Sequence, residues 1–270
     1  GVSPNTATRG WRSSGAPLLC AAAEYSAGAK GTVEALLAWG ADVDGAACDG
    51  RTPLIVAAAH DDLRLVNQLI AAGADVEKAT IYWIGCGERG TTPLMAAAAP
   101  SEHGEVIERL IALGAKGGKA LIVAAKRGNC EGVERLVHSV GAVGSYSKAL
   151  VVAVVYGENR IVDQLLAALL SVGGDVNKGT PLFFAAQANQ FEITGKLIAA
   201  GADVNRLTTH DGNTPLIQAV MRGHVRIAAR LIDAGANVNK ANADGCTPLF
   251  IAERKNCAVS VAILLVNGAV

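Results

Sequence analysis

Thr214-Pro215-Leu216-Ile217-Gln218-Ala219 opens a segment that decides the fold. A Gly-His step follows at Gly223-His224, then the apolar positions Ile227, Leu231 and Ile232, then Gly235-Ala236-Asn237-Val238. Thr before Pro reads as a helix start: the hydroxyl caps the first turn, and Pro fits a position whose N–H needs no partner. Leu216, Ile217 and Ala219, then Ile227, Leu231 and Ile232, give two short amphipathic helices. Gly235 stands where the second helix must stop, because glycine takes the left-handed conformation cheaply. Asn237-Val238-Asn239 then leads out into a hairpin-like loop.

The unit recurs. Thr-Pro-Leu also stands at Thr52, Thr92, Thr180 and Thr247, and Pro17-Leu18 is a partial copy. Gly-Ala-Asp/Asn-Val recurs at Gly40, Gly73 and Gly201, with Gly173-Gly174-Asp175-Val176 a variant. Pro181 and Pro215 lie 34 residues apart, and Pro215 and Pro248 lie 33 apart. Five copies in phase with a second string resemble the ankyrin repeat, a 33-residue unit with a Thr-Pro-Leu-His-x-Ala signature. The resemblance runs from about residue 16 to 270, after an N-terminal extension of 1–15. It implies an all-α solenoid of about eight helix–turn–helix repeats, near 16–47, 48–79, 88–117, 118–146, 147–178, 179–210, 211–243 and 244–270. Neighbours in such a stack bury a face that no single unit buries alone.

Departures from the pattern individualise the chain. Pro53 and Pro93 are 40 residues apart, and the excess falls at about 79–90. In the fourth and fifth repeats Lys119-Ala120-Leu121 and Lys148-Ala149-Leu150 replace Thr-Pro-Leu, so the stack is expected to be weakest there. The loop between repeats three and four is nearly deleted. About four residues are added at 166–173, one more helical turn.

Composition bounds the function. Of 270 residues, 51% are hydrophobic but only 4% aromatic, so Ala, Val, Leu and Ile must build the core. Lys plus Arg equal Asp plus Glu at 24 each, which removes bulk attraction to nucleic acid or an anionic membrane. No apolar run approaches the 18 residues of a membrane helix. Six dispersed cysteines without a Cys-x-x-Cys pair read as buried thiols in a reducing, intracellular compartment, the cytoplasm being the first choice, rather than as a zinc site. No cofactor is expected. The chain starts at Gly1 without an initiator Met, so it is read as a processed or incomplete stretch of sequence.

Gly85-x-Gly87-x-x-Gly90 has dinucleotide-binding spacing. Thr92-Pro93-Leu94 then begins a helix in phase with the other repeats, so the glycines read as a loop tip. No nucleophile–base set emerges from the spacing, and Asp61-Asp62 reads as a solvated helix cap. The chain is accordingly read as a non-catalytic module that binds another protein through hairpin tips and inner helices. Two alternatives stay open: the regulatory ankyrin domain of a longer enzyme or channel, and a scaffold subunit of a large assembly.

Tyr82 and Trp83, in the insertion, are candidate anchors, or else fold back over the flank; Arg89 and His210 accompany them on the loops. Trp39 reads as a packing residue and His224 as a brace to backbone. The resemblance implies that the two positions after the small pair of each inner helix face the concave side. Those positions hold His60, Lys126, Arg127, Tyr156, Gln187, Arg222, Arg254 and Lys255, with Ala59, Val155, Ala188 and Met221. Five are Lys or Arg and none is acidic, which is either a solvated row or a surface for an acidic protein partner. The last helix carries no charge from Val259 to Val270, so the C-terminal end is expected to be covered by further chain or another subunit.

Overall fold

The computed structural model describes residues 18–24, 31–47, 49–80, 90–99, 104–140 and 143–270. Among them lie α-helices and turns and no strand. Contacts divide the chain into two compact units, Gly1–Gly141 and Ala142–Val270. The division falls between the two repeats that lack Thr-Pro-Leu.

The first unit holds α1 (Leu18–Glu24), α2 (Thr32–Ala38), α3 (Pro53–Ala59), α4 (Leu63–Ala71), α5 (Pro93–Ala97), α6 (Glu105–Ala112), α7 (Gly117–Arg127) and α8 (Cys130–Val140). The helices α1, α3, α5 and α7 pack in sequence as an inner layer, and α4, α6 and α8 as an outer one. The second unit holds α9 (Val143–Tyr156), α10 (Asn159–Ser171), α11 (Pro181–Gln187), α12 (Phe191–Ala199), α13 (Pro215–Arg222), α14 (Val225–Asp233), α15 (Pro248–Arg254) and α16 (Ala258–Val266). Its layers are α9, α11, α13, α15 and α10, α12, α14, α16.

The helix boundaries follow from side-chain chemistry. Thr52, Thr92, Thr214 and Thr247 each accept a bond from the amide three residues on, at 3.3, 3.3, 3.1 and 3.2 Å. Asp62 caps α4 in the same way, on Leu65 at 2.9 Å. Gly235, at φ +90°, ends α14; its N–H reaches Ile232 and that of Ala236 reaches Leu231, both at 2.9 Å, which satisfies the last carbonyls.

Thr180 departs from its sisters. It sits at φ +53°, a strained conformation for a β-branched residue, and makes no cap bond. The loop behind it explains this. Gly201 to Thr214 spans 13 residues, whereas Gly173 to Thr180 spans seven, so the chain must reach α11 by a tight left-handed step. In the degenerate repeats the helices start early. Without Pro to end helical geometry before it, α7 begins two residues ahead of Lys119, and α9 five ahead of Lys148. The added turns of α9 and α10 bury Tyr146 and Leu169, next to Leu150, Val154, Ile161 and Leu165 at the ordinary repeat positions.

Loops are stitched to one another. Asp44 accepts from the Asp75 N–H at 3.2 Å and Glu77 from Lys116 at 2.7 Å. In the second unit amides do this work: Asn177 accepts from Asp203, Asn205 from Asn237, and Asn239 from Val270, at 2.7, 2.7 and 2.9 Å. The final helix α16 buries only Ser260 and Leu264. Val259, Leu265, Val266 and Val270 stand exposed in the chain, Val266 to 86%.

Candidate functional site

In the second unit the C-terminal ends of α9, α11, α13 and α15 form a row. Val155 and Tyr156 are 45% and 54% exposed. Gln187 is half-buried, Ala188 exposed and Met221 half-buried, while Arg222, Arg254 and Lys255 are exposed. The Arg254 guanidinium stands 5.7 Å from the Phe250 ring centre. No described carboxylate pairs with Arg222, Arg254 or Lys255. The one acid on α15, Glu253, occupies the place that Val220 and Ala186 take in the preceding pairs. The row therefore runs from apolar to basic.

In the first unit His60 caps α3, exposed, its Nδ1 2.9 Å from the Val56 carbonyl; Lys126 is half-buried and Arg127 exposed at the end of α7. His210 is exposed at a loop tip closed by two bonds between Thr208 and Asn213, at 3.1 and 3.0 Å. Tyr82, Trp83 and Arg89 lie outside the described residues. Their insertion leaves from a closed base: Thr80 and Thr91 exchange bonds at 3.0 and 3.1 Å, and Gly90 donates to Thr80 at 3.0 Å. Behind Gly90, α5 has five residues, too few for the long crossover helix of a dinucleotide unit.

Two expectations need correction. Trp39 is not packed: it is 74% exposed at the C-cap of α2. The equivalent places hold Ala72, Ala200, Ala234 and Asn267, none of them buried, because there the chain turns outward before its glycine. Nor are the thiols uniformly buried. Cys20 is, bonded to the Gly45 carbonyl at 3.2 Å, and burial pushes its pKa up to about 12; Cys130, Cys246 and Cys257 are half-buried. Hydrogen bonds from Ser260 lower the Cys257 thiol. Among the described residues no three His, Cys, Asp or Glu gather as metal ligands.

His224 braces as expected, its Nε2 3.2 Å from the Gln187 carbonyl. A counterpart was not anticipated. Asn129 is fully buried, donates to the Ala98 carbonyl at 3.1 Å and accepts from the Gly132 N–H at 2.7 Å. It fills the space that Gly132 leaves where α4, α6, α10, α12 and α14 carry the buried Leu65, Ile107, Ile161, Ile193 and Ile227; a Cβ on Gly132 would lie 2.6 Å from its amide. The signal was in the sequence, since Gly128-Asn129 stands where Gly223-His224 stands. A groove of about 830 Å³ between α6 and α8, lined by Ile111 and Ala112 and edged by Glu108, Glu131 and Glu134, was also missed.

Comparison with known proteins agrees with this architecture. The family model described as "Ankyrin repeats (3 copies)" matches residues 121–208 and 182–270, together more than half the chain, and "Ankyrin repeat" matches 49–81. The chain is similar to the "Ankyrin repeat and KH domain-containing protein mask-1" of Caenorhabditis elegans, 29% identical over 198 residues. That match covers 70% of this chain and 7% of the relative. No described helix is long and apolar enough to cross a membrane. Repeated capped helix pairs, left-handed glycine stops and these matches lead to one conclusion: the chain belongs to the ankyrin-repeat family, an all-α class whose members are generally protein–protein interaction modules.

Proposed function

We propose that this protein is a non-catalytic, intracellular scaffold that holds a partner protein along its inner-helix row and hairpin tips. The supporting observation is the row in the second unit. Tyr156, Arg222, Arg254 and Lys255 stand at the C-terminal ends of α9, α13 and α15 in one layer, without a described carboxylate to hold them. Large apolar and cationic side chains presented in this way are the usual anchors of protein contacts. Nothing is transformed in this reading; the stack supplies rigidity, and exposed side chains supply choice of partner.

A photo-crosslinking residue tests it. Placed at Gln187, it is expected to trap a discrete partner band in cells; placed at Ala167, exposed on the outer helix α10, it is expected to trap little. Equal trapping from both places would remove the assignment of the binding face.

The C-terminal end belongs to the same reading. Every other fully described outer helix from α4 to α14 exposes charge, such as Arg64 on α4, Asp163 on α10 and Arg226 on α14, but α16 exposes valines and leucine. Further chain or another subunit covers this face in our reading, so the isolated chain should self-associate as concentration rises. A monodisperse monomer in light scattering at high concentration would exclude that cover.

A further inference from the structure

The row in the second unit has a polarity and a length, and both constrain what fits it. The apolar end is Val155 and Tyr156 on α9. Gln187 and Ala188 on α11 are uncharged, and cationic side chains begin at Arg222 on α13 and continue with Arg254 and Lys255 on α15. Packed helices stand about 8–10 Å apart. The first cation is therefore about 20 Å from the apolar end and the last pair about 30 Å. An extended peptide advances about 3.3 Å per residue, so the two distances correspond to about six and nine residues. A helical ligand at about 1.5 Å per residue would need roughly twice that length.

We infer that this row takes an extended acidic peptide whose apolar side chain seats against Val155 and Tyr156 and whose carboxylates, about six to nine residues away, meet Arg222, Arg254 and Lys255. The inference rests on the protein-binding reading and adds the ligand's chemistry and spacing. The apolar contact removes the exposed Tyr156 face from water, and the cations select for charge and speed the encounter.

Four fluorescent probes test this on the full chain by anisotropy. Two twelve-residue peptides of Ser and Gln carry one Phe and three Asp at offsets of six, seven and nine, in the two chain directions. The third holds the same residues with the Asp run adjacent to Phe, and the fourth is a twelve-nucleotide oligothymidylate. The better of the two spaced peptides is expected to bind at least tenfold tighter than the compact one, and to weaken as salt rises. Tyr156→Ala and, separately, Arg222→Gln with Lys255→Gln should each weaken it at least fivefold, with unchanged thermal melting. Equal affinity for spaced and compact peptides, or tighter binding of the oligonucleotide, overturns the inference. Weak binding of every probe by a protein that still yields the Gln187 crosslink overturns the ligand chemistry alone; loss of that crosslink as well overturns the protein-binding reading.

Discussion

Replacing Leu165 by Ala will lower the unfolding free energy of the chain by about 2–5 kcal/mol. Leu165 is fully buried in α10, and truncation there both forfeits burial and leaves a cavity. The surroundings are long helices rather than loops, so they collapse poorly into the gap. Leu170→Ala, on the same helix but 49% exposed, is the control and should cost under about 0.5 kcal/mol. Urea unfolding of both variants checks this; equal losses would mean that the fifth repeat does not pack as described. The pair also probes how the fifth repeat stands without a capping Thr. Its helices are longer, and the added turns bury aliphatic surface in place of the missing cap bond.

Asn129→Ala is expected to cost about 2–4 kcal/mol, more than a truncation of this size does on a surface. The loss has three parts: the bond to the Ala98 carbonyl, the bond from the Gly132 amide, and the stranding of both backbone groups in a buried place. Thermal melting reads it. A shift no larger than that of an exposed Asn→Ala would show that the amide does not bridge the third and fourth repeats. Gly132→Val would not rescue the variant fully, because the new branches reach neither backbone group.

Much of this was legible in the sequence because the repeat declares itself through residues with fixed backbone roles. Thr-Pro marks helix starts, Gly marks helix ends, and four of the five Thr caps stand where expected. Thr180 shows how such reading fails. Its loop is six residues shorter than the loop before Thr214, while α10 is about four residues longer than α14. The two changes nearly cancel in the repeat spacing, since Ala149, in the place of the missing proline, lies 32 residues before Pro181, so a distorted junction looks regular. Trp39 fails differently: an aromatic residue suggests packing by its type, but its place in the repeat faces solvent. The row proposed to bind a partner was legible only through the family resemblance. Periodicity alone does not tell which exposed end of an inner helix is left clear, nor that its character changes from apolar to cationic along the second unit.

The bonds between Thr80 and the Gly90–Thr91 step have a consequence for diversification. They fasten the two ends of the 81–89 segment to each other before the chain re-enters α5, so the length of that segment is uncoupled from the register of the stack. Doubling a closed loop costs only about 0.6 kcal/mol. Added length can therefore be accepted here at little entropic cost, without the neighbouring helices having to readjust. Lineages that lengthen or rewrite it change what the protein displays while inheriting a finished scaffold, and the same doorway is open to an engineer who wishes to graft a foreign epitope.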